Sequence, residues 1–158
     1  MIILGIDPGL RITGLVVVEK NKSSVKIRHC QELNTQKIKN LSKKLEFLFS
    51  CLEKVIAKFR PDVIVVEKLY SHYRHPLTLA SLAQVRGIIF LVASRKNINL
   101  VEYSSTKVKK IITSYGSASK DQMRKMVAYL SGLDRPLKSE HISDALGLVL
   151  TYLYYNKK

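Results

Sequence analysis

Two short apolar segments, each followed directly by an acidic residue, constrain the fold of this chain more than any other feature. Residues Ile2 to Ile6 precede Asp7, and residues Val63 to Val66 precede Glu67. Both segments are rich in β-branched residues and bounded by turn signals, as expected of strands that are buried on both faces. If these strands are adjacent and parallel, their carboxyl ends lie together, and both carboxylates face the edge where α/β sheets bind ligands.

The remaining pattern predicts a mixed α/β sheet flanked by helices. Further strands are predicted over Gly14–Glu19, Val25–Leu33 and Leu100–Tyr103. A turn at residues 21–24 makes the first three strands of the chain an antiparallel meander. Helices are predicted over Asn40–Phe59, Leu77–Arg95, Ser104–Thr113, Ser119–Leu130 and His141–Tyr155. Without a linker or an internal repeat, residues 1–158 are most simply one domain.

The predicted helix Leu77–Arg95 is apolar nearly all round. Such a helix is buried on more than one side. One side can cover the sheet, and the other suggests a partner chain, for which a two-fold dimer is the commonest solution.

The charge of the chain indicates an anionic partner. There are 27 Lys and Arg residues against 12 Asp and Glu, a formal net charge of +15. This favours nucleic acid, another polyanion or an anionic membrane surface. No secretory signal is recognisable, and the apolar stretch Ile142–Tyr155 is interrupted by Ser143 and Asp144 and too short to span a membrane. The expected compartment is the cytoplasm.

A third acid, Asp144, lies on the last predicted helix together with His141. Their three-residue spacing places both side chains on one face, which could cover the same end of the sheet as Asp7 and Glu67. Carboxylates at the ends of apolar segments are costly unless compensated, usually by a divalent metal. Such a site suits two Mg²⁺ or Mn²⁺ ions about 3.5–4 Å apart, as in enzymes acting on nucleic-acid phosphate. The alternative is that Asp7 and Asp144 only cap a turn and a helix.

Basic and aromatic residues form two candidate DNA-binding segments. The first contains Lys107, Lys109, Lys110, Lys120, Arg124 and Lys125, and the second contains Tyr70, His72, Tyr73, Arg74 and His75. Cationic side chains can contact phosphates, and aromatic ones can stack on unpaired bases. A solvated helix face and a self-anchored loop are the alternatives.

Several motifs together resemble the RuvC family of Holliday-junction resolvases. They are Gly5-Ile6-Asp7-Pro8-Gly9 with Thr13-Gly14, Val65-Val66-Glu67 with Tyr70, Ala83-Gln84-Val85-Arg86-Gly87, Val108-Lys109, Gly116 to Lys120 and Ser143-Asp144-Ala145-Leu146. The resemblance runs nearly end to end, at matching spacing and length. It is far more specific than any single motif.

This resemblance implies an RNase H-like fold and a homodimer that cuts four-way DNA junctions with magnesium or manganese. It also implies partners, namely a junction-binding protein and a branch-migration motor of the RuvA and RuvB type. The catalytic and metal-binding positions carried over are Asp7, Glu67, His141 and Asp144. Lys109 and Lys120 match family lysines that face DNA and the active site. Tyr70 stands where many members carry a Phe thought to act on junction bases.

At His141 many family members carry Asp and some carry His, and this difference bears on metal preference. The segment 71–76 is more basic than is usual in the family. The residues alone leave two other functions open. One is a non-catalytic or differently directed nucleic-acid-binding protein of the RNase H superfamily. The other is a sugar-kinase or actin-like ATPase, which shares the opening Gly-Ile-Asp-x-Gly motif but needs a second lobe that 158 residues do not supply.

Overall fold

The structure is a computed structural model that describes residues 1–22, 24–69 and 76–156. Five strands form one sheet in the order β3-β2-β1-β4-β5. The strands are β1 (Ile2–Asp7), β2 (Ile12–Lys20), β3 (Val25–Asn34), β4 (Val63–Glu67) and β5 (Asn99–Tyr103). β2 pairs antiparallel with both β1 and β3, whereas β4 pairs parallel with both β1 and β5. The predicted mixed five-stranded sheet, its opening meander and the adjacency of β1 and β4 are confirmed.

Helices cover both faces of the sheet. They are α1 (Leu41–Phe59), α2 (Pro76–Arg95), α3 (Ser105–Thr113), α4 (Lys120–Leu130) and α5 (Glu140–Tyr155). Alternate residues of each strand serve opposite faces. In β1, Leu4 and Ile6 pack with the helices α1 and α2, whereas Ile3 packs with α3, α4 and α5. The sheet therefore has a hydrophobic core on each side.

Two glycines let α5 lie directly on the sheet. A Cβ atom at Gly5 would lie 2.4 Å from the carbonyl oxygen of Ala145, and one at Gly14 would lie 2.2 Å from that of His141. Real Cβ atoms essentially never approach so closely. The absence of a side chain at these two positions thus sets the distance between the first turns of α5 and the ends of β1 and β2.

In the single chain, α2 covers the sheet with one side, as predicted, and the predicted contact of its other side with a partner chain stays a prediction. Val85, Ile89 and Val92 are buried against the core, but Phe90 is 40% exposed and Leu91 is 52% exposed. Within one chain, only one side of the helix is therefore covered. Among the described residues, α2 is also the helix with the length and composition of a membrane span, a property that core helices of water-soluble proteins share.

Candidate active site

Asp7 and Glu67 are the last residues of two neighbouring parallel strands. Asp7 shares the strand face of Ile3, and Glu67 shares that of Val65, because side chains alternate along a strand. Ile3 and Val65 belong to the core beneath α5. Both carboxylates therefore point toward the face of the sheet that α5 covers.

The turn after Asp7 is held by a buried threonine. Thr13 is 1% exposed, its hydroxyl donates to the carbonyl oxygen of Gly9 at 2.7 Å, and it accepts from the Gly9 amide at 3.3 Å. Asp7 is itself paired with Gly14 in the β1–β2 ladder. These contacts fix the chain on both sides of the Asp7 carboxylate.

The start of α5 positions the other two candidate residues. Ser139 caps the helix, and its hydroxyl accepts from the Ile142 amide at 3.1 Å. The same hydroxyl donates to the carboxylate of Glu32 on β3, which ties the helix start to the sheet. His141 and Asp144 then follow within the first turns of the helix.

Three carboxylates and two lysines meet in one cavity of about 330 Å³. Its lining residues are Asp7, Glu67, Ser105, Val108, Lys109, Lys120, Met123, Asp144 and Leu148. The structure thus brings together Asp7, Glu67, Asp144, Lys109 and Lys120, as the sequence predicted. Ser105, at the first position of α3, was missed by the sequence reasoning. The Ser104-Ser105 pair after β5 could have indicated it, because serine is common where a helix begins.

The cavity disfavours the charge of its own carboxylates. Burial, and next the neighbouring Asp7, raise the pKa of Glu67 to about 7. Burial, and next Asp7, raise the pKa of Asp144 to about 6, although Lys120 opposes this shift. Carboxylates that repel one another in a partly desolvated site are stabilised by a bound cation.

His141 lies beside Asp7 and not among the residues that line the cavity. Its Nδ1 atom is 2.7 Å from Oδ2 of Asp7, and in the tautomer with the proton on Nδ1 the ring donates this hydrogen bond. This hydrogen bond is the main reason that the pKa of His141 is raised. No side chain in the described part of the chain makes a hydrogen bond with Nε2, whereas Asp144, one turn further along α5, lines the cavity itself.

The donor set fits a divalent metal in its chemistry. Carboxylate oxygens suit Mg²⁺ and Mn²⁺, and an imidazole nitrogen adds a ligand that favours transition metals. Within the ranges 1–22, 24–69 and 76–156, no three His, Cys, Asp or Glu side chains come close enough together to hold one ion.

The predicted DNA-binding residues have different environments. Lys120 extends from the cavity rim to Glu140, with Nζ 3.0 Å from Oε2, and this hydrogen bond is the main reason that its pKa is raised. Lys107 instead lies over the ring of Tyr155, 4.1 Å from its centroid. Arg124 donates to the carbonyl oxygen of Leu137 at 2.7 Å, which gives it a local structural contact. Tyr70 and Arg74 lie outside the described residues.

The raised pKa values predict how metal-free stability depends on pH. Between the ordinary and the raised pKa values of Glu67 and Asp144, these groups are protonated in the folded chain but ionised in the unfolded chain. The free energy of unfolding therefore falls as pH rises through this range. The raised pKa of His141 also lowers stability as pH rises, because the contribution of the protonated imidazole beside Asp7 is lost above that pKa. We expect a loss on the order of 2 kcal/mol from Glu67 between about pH 4 and pH 8, after discounting for solvent contact.

Melting temperatures in EDTA across this range measure the effect. The double variant Glu67→Gln/Asp144→Asn should show a smaller decline than the wild type, and the difference between the two curves isolates these groups from the overall charge. Parallel curves would show that the cavity imposes no such cost.

Comparisons with known proteins agree with this architecture. The profile of one family, described as crossover junction endodeoxyribonuclease RuvC, matches residues 3–152. The RuvC protein of Caldicellulosiruptor saccharolyticus is 34% identical over 154 residues, covering 97% of this chain and 92% of the relative. That of Carboxydothermus hydrogenoformans is also 34% identical, over 148 residues, covering 94% and 92%.

Solved structures show the same fold. The Thermus thermophilus RuvC structure aligns with a TM-score of 0.86 at 25% identity, covering 98% of this chain and 95% of that one. T. thermophilus RuvC in complex with a Holliday junction substrate aligns with a TM-score of 0.87 at 23% identity, covering 98% and 94%. The RNase H-like fold is confirmed. By its family match and its similarity to curated relatives over nearly its full length, this chain belongs to the RuvC family, whose members are metal-dependent nucleases.

Proposed function

We propose that this chain is a structure-selective endonuclease that resolves four-way (Holliday) DNA junctions during recombination and repair. The reaction is a paired, symmetric and metal-dependent hydrolysis of phosphodiester bonds. The observation that carries this proposal is the cavity in which Asp7, Glu67 and Asp144 meet Lys109 and Lys120. The family match supports it, because the curated relatives are named crossover junction endodeoxyribonucleases.

Asp7, Glu67 and Asp144, with His141, are the proposed ligands for two Mg²⁺ or Mn²⁺ ions. Bound ions of this type supply an activated water and stabilise charge on the leaving oxygen. Asp7 is oriented by its hydrogen bond to His141. Glu67 and Asp144 lose their protons readily when a cation lies beside them, because burial and carboxylate repulsion are what raise their pKa values.

Lys109 and Lys120 are the proposed phosphate contacts at the cavity. In the ion pair of Lys120 with Glu140, 76% of the lysine side chain is exposed. Because such an exposed ion pair is weak, Lys120 can leave that carboxylate and bind a DNA phosphate. Lys107 and Arg124 are proposed as further phosphate contacts. Like Lys120, each makes an intramolecular contact in the free protein, with Tyr155 and Leu137 respectively.

Replacing Lys109 or Lys120 by Ala should weaken junction binding and its salt dependence. Each phosphate contact contributes about −0.9 to the slope of log K against log salt, so each variant should flatten the slope by about one unit. Fluorescence anisotropy with a labelled four-way junction at several salt concentrations measures this slope. Lys43→Ala on α1, an exposed lysine paired with Glu46, is the control and should change it less. An unchanged slope in both test variants would place these lysines away from the DNA backbone.

Replacing His141 by Asp should reduce the preference for manganese. Imidazole sites suit transition metals, whereas all-oxygen sites suit magnesium. The ratio of single-turnover cleavage rates in Mn²⁺ and in Mg²⁺, at one fixed pH, should therefore be larger in the wild type than in the variant. A ratio that stays equal or rises would show that His141 does not set metal preference and acts only by orienting Asp7.

A homodimer is proposed as the active form, with all 158 residues of each chain in one domain. A four-way junction has approximate two-fold symmetry, so two identical sites can cut two strands of like polarity. The exposed Phe90 and Leu91 on α2 give each chain an apolar surface for such an interface. A junction-binding protein and a branch-migration motor of the RuvA and RuvB type are the proposed partners, in the cytoplasm.

The test is incubation of mobile and static four-way junctions, with a linear duplex as control, in Mg²⁺ or Mn²⁺. Cleavage confined to the junctions supports the proposal. Junction binding with no cleavage under either metal would instead identify a non-catalytic nucleic-acid-binding protein of the same superfamily.

A further inference from the structure

Arg86 is a buried cation on the face of the sheet opposite to the carboxylate cavity. It lies on α2 between the core residues Val85 and Ile89, and only 8% of its surface is exposed. Burying a guanidinium is costly unless it is paired and hydrogen-bonded. Its contacts therefore indicate what this residue does in the fold.

The guanidinium group of Arg86 bridges the ends of two strands. Nη1 donates to the backbone carbonyl oxygen of Glu67, the last residue of β4. Nη2 donates to the carboxylate of Glu102 on β5, which forms an ion pair with it. The ring of Phe90, whose centroid is 5.3 Å from Cζ, adds a cation–π contact. Arg86 thus holds the backbone of Glu67 while the side chain of Glu67 faces the cavity.

The backbone carbonyl of Glu67 needs a donor that β1 does not supply. The Lys68 amide donates to the backbone carbonyl oxygen of Tyr103 on β5 at 2.8 Å. Because the backbone groups of successive residues in a strand point to opposite sides, those of Glu67 point toward β1. The ladder position one residue beyond the end of β1 is Pro8, which has no N–H. Even a partly buried carbonyl is costly when it has no partner, and Arg86 satisfies this one.

We propose that Arg86 is a positioning residue for the metal site. It fixes the end of β4 so that the Glu67 carboxylate is directed into the cavity, and Glu102 orients its guanidinium group. This inference rests on the proposed function, since it assigns Glu67 to metal binding. Arg86 touches neither the cavity nor its lysines. Its loss should therefore change metal binding and the cleavage rate while leaving junction affinity unchanged.

The variants are Arg86→Gln, Arg86→Lys and, as a matched control on the same helix, Arg95→Gln. Removing a residue that orients a metal ligand typically costs about 10–100-fold in metal affinity or activity. For Arg86→Gln we expect at least a tenfold weaker affinity of the protein for Mn²⁺, measured without DNA by electron paramagnetic resonance of unbound Mn²⁺. Arg86→Lys keeps the charge and a single donor nitrogen and should recover part of the loss. Arg95→Gln should match the wild type.

Junction cleavage by the same proteins gives the second measurement. The Mn²⁺ concentration for half-maximal single-turnover rate should rise about tenfold in Arg86→Gln, while the junction Kd stays within about twofold of wild type. If Arg86→Gln does not fold, Arg86→Met/Glu102→Met removes both charges and should still bind Mn²⁺ weakly. Mn²⁺ affinity within about twofold of wild type in a folded variant would overturn the proposal. Because Mn²⁺ binding is measured without DNA, it tests Arg86 even if the wild type fails to cut junctions.

Discussion

Replacing Asp7 by Asn should lower the junction-cleavage rate by at least about a thousandfold while junction affinity stays within about twofold of wild type. Asp7 lies at the centre of the candidate site, because it lines the cavity, contacts His141 and is the carboxylate that most disfavours ionisation of both Glu67 and Asp144. The amide keeps the shape of the side chain and removes its charge. The basic surface proposed to bind DNA phosphates is unchanged.

Single-turnover cleavage in Mn²⁺ and junction binding in EDTA measure the two effects separately. Asp121→Asn is a matched control, since Asp121 is an exposed acid whose salt bridge is with Lys125 on the same helix. Glu67→Gln and Asp144→Asn should each resemble Asp7→Asn, and combining them should add little, because ligands of one site act as a unit. A rate for Asp7→Asn within tenfold of wild type would remove Asp7 from the metal site.

Replacing Gly14 by Ala should destabilise the protein by about 3 kcal/mol or more and lower the cleavage rate as well. The added Cβ atom would lie 2.2 Å from the carbonyl oxygen of His141 and 2.4 Å from its carbonyl carbon. These are backbone atoms of α5, so no side-chain rotation relieves the clash. The start of the helix must move away from the sheet, and it carries His141 and Asp144 with it.

Gly147→Ala is the matched control on α5. Its Cβ atom would meet only side-chain atoms of Val108, Val127 and Met123, at 3.5–3.8 Å, which is ordinary van der Waals contact. Removing a helical glycine should stabilise the protein by up to about 1 kcal/mol. Thermal melting should therefore show Tm values that move in opposite directions for the two variants. An unchanged Tm in Gly14→Ala would mean that α5 does not pack this closely on β2.

The arrangement of the sheet could be predicted because its strongest signals are local. Apolar β-branched runs that end in an acid identified β1 and β4 as central parallel strands. The strand ends were placed one residue too early, because pairing continues through the acids themselves. Asp7 pairs with Gly14, and Glu67 pairs with Tyr103. This places both carboxylates on rigid strand ends.

Contacts between residues distant in sequence could not be predicted in the same way. The basic segment predicts that Lys107 and Arg124 bind DNA, and this stays a prediction. Whether such a side chain is solvated or lies over an aromatic ring is not determined by the local sequence. The contact of Lys107 with Tyr155 depends on α3 and α5 packing together. Likewise, Arg86 was recognised as part of a motif, but its bond to the backbone of Glu67 emerges only when α2 lies across β4 and β5.

The most direct test of the account is the position and timing of cuts in a four-way junction formed within a supercoiled circular DNA. We predict that the wild type, with Mn²⁺ or Mg²⁺, makes two symmetric nicks in strands of like polarity within the lifetime of one complex, giving linear product without accumulation of nicked circles. Asp7→Asn should bind the same DNA and leave it intact. Persistent single nicks, or equal cutting of linear duplex, would contradict paired and structure-selective cleavage by this site.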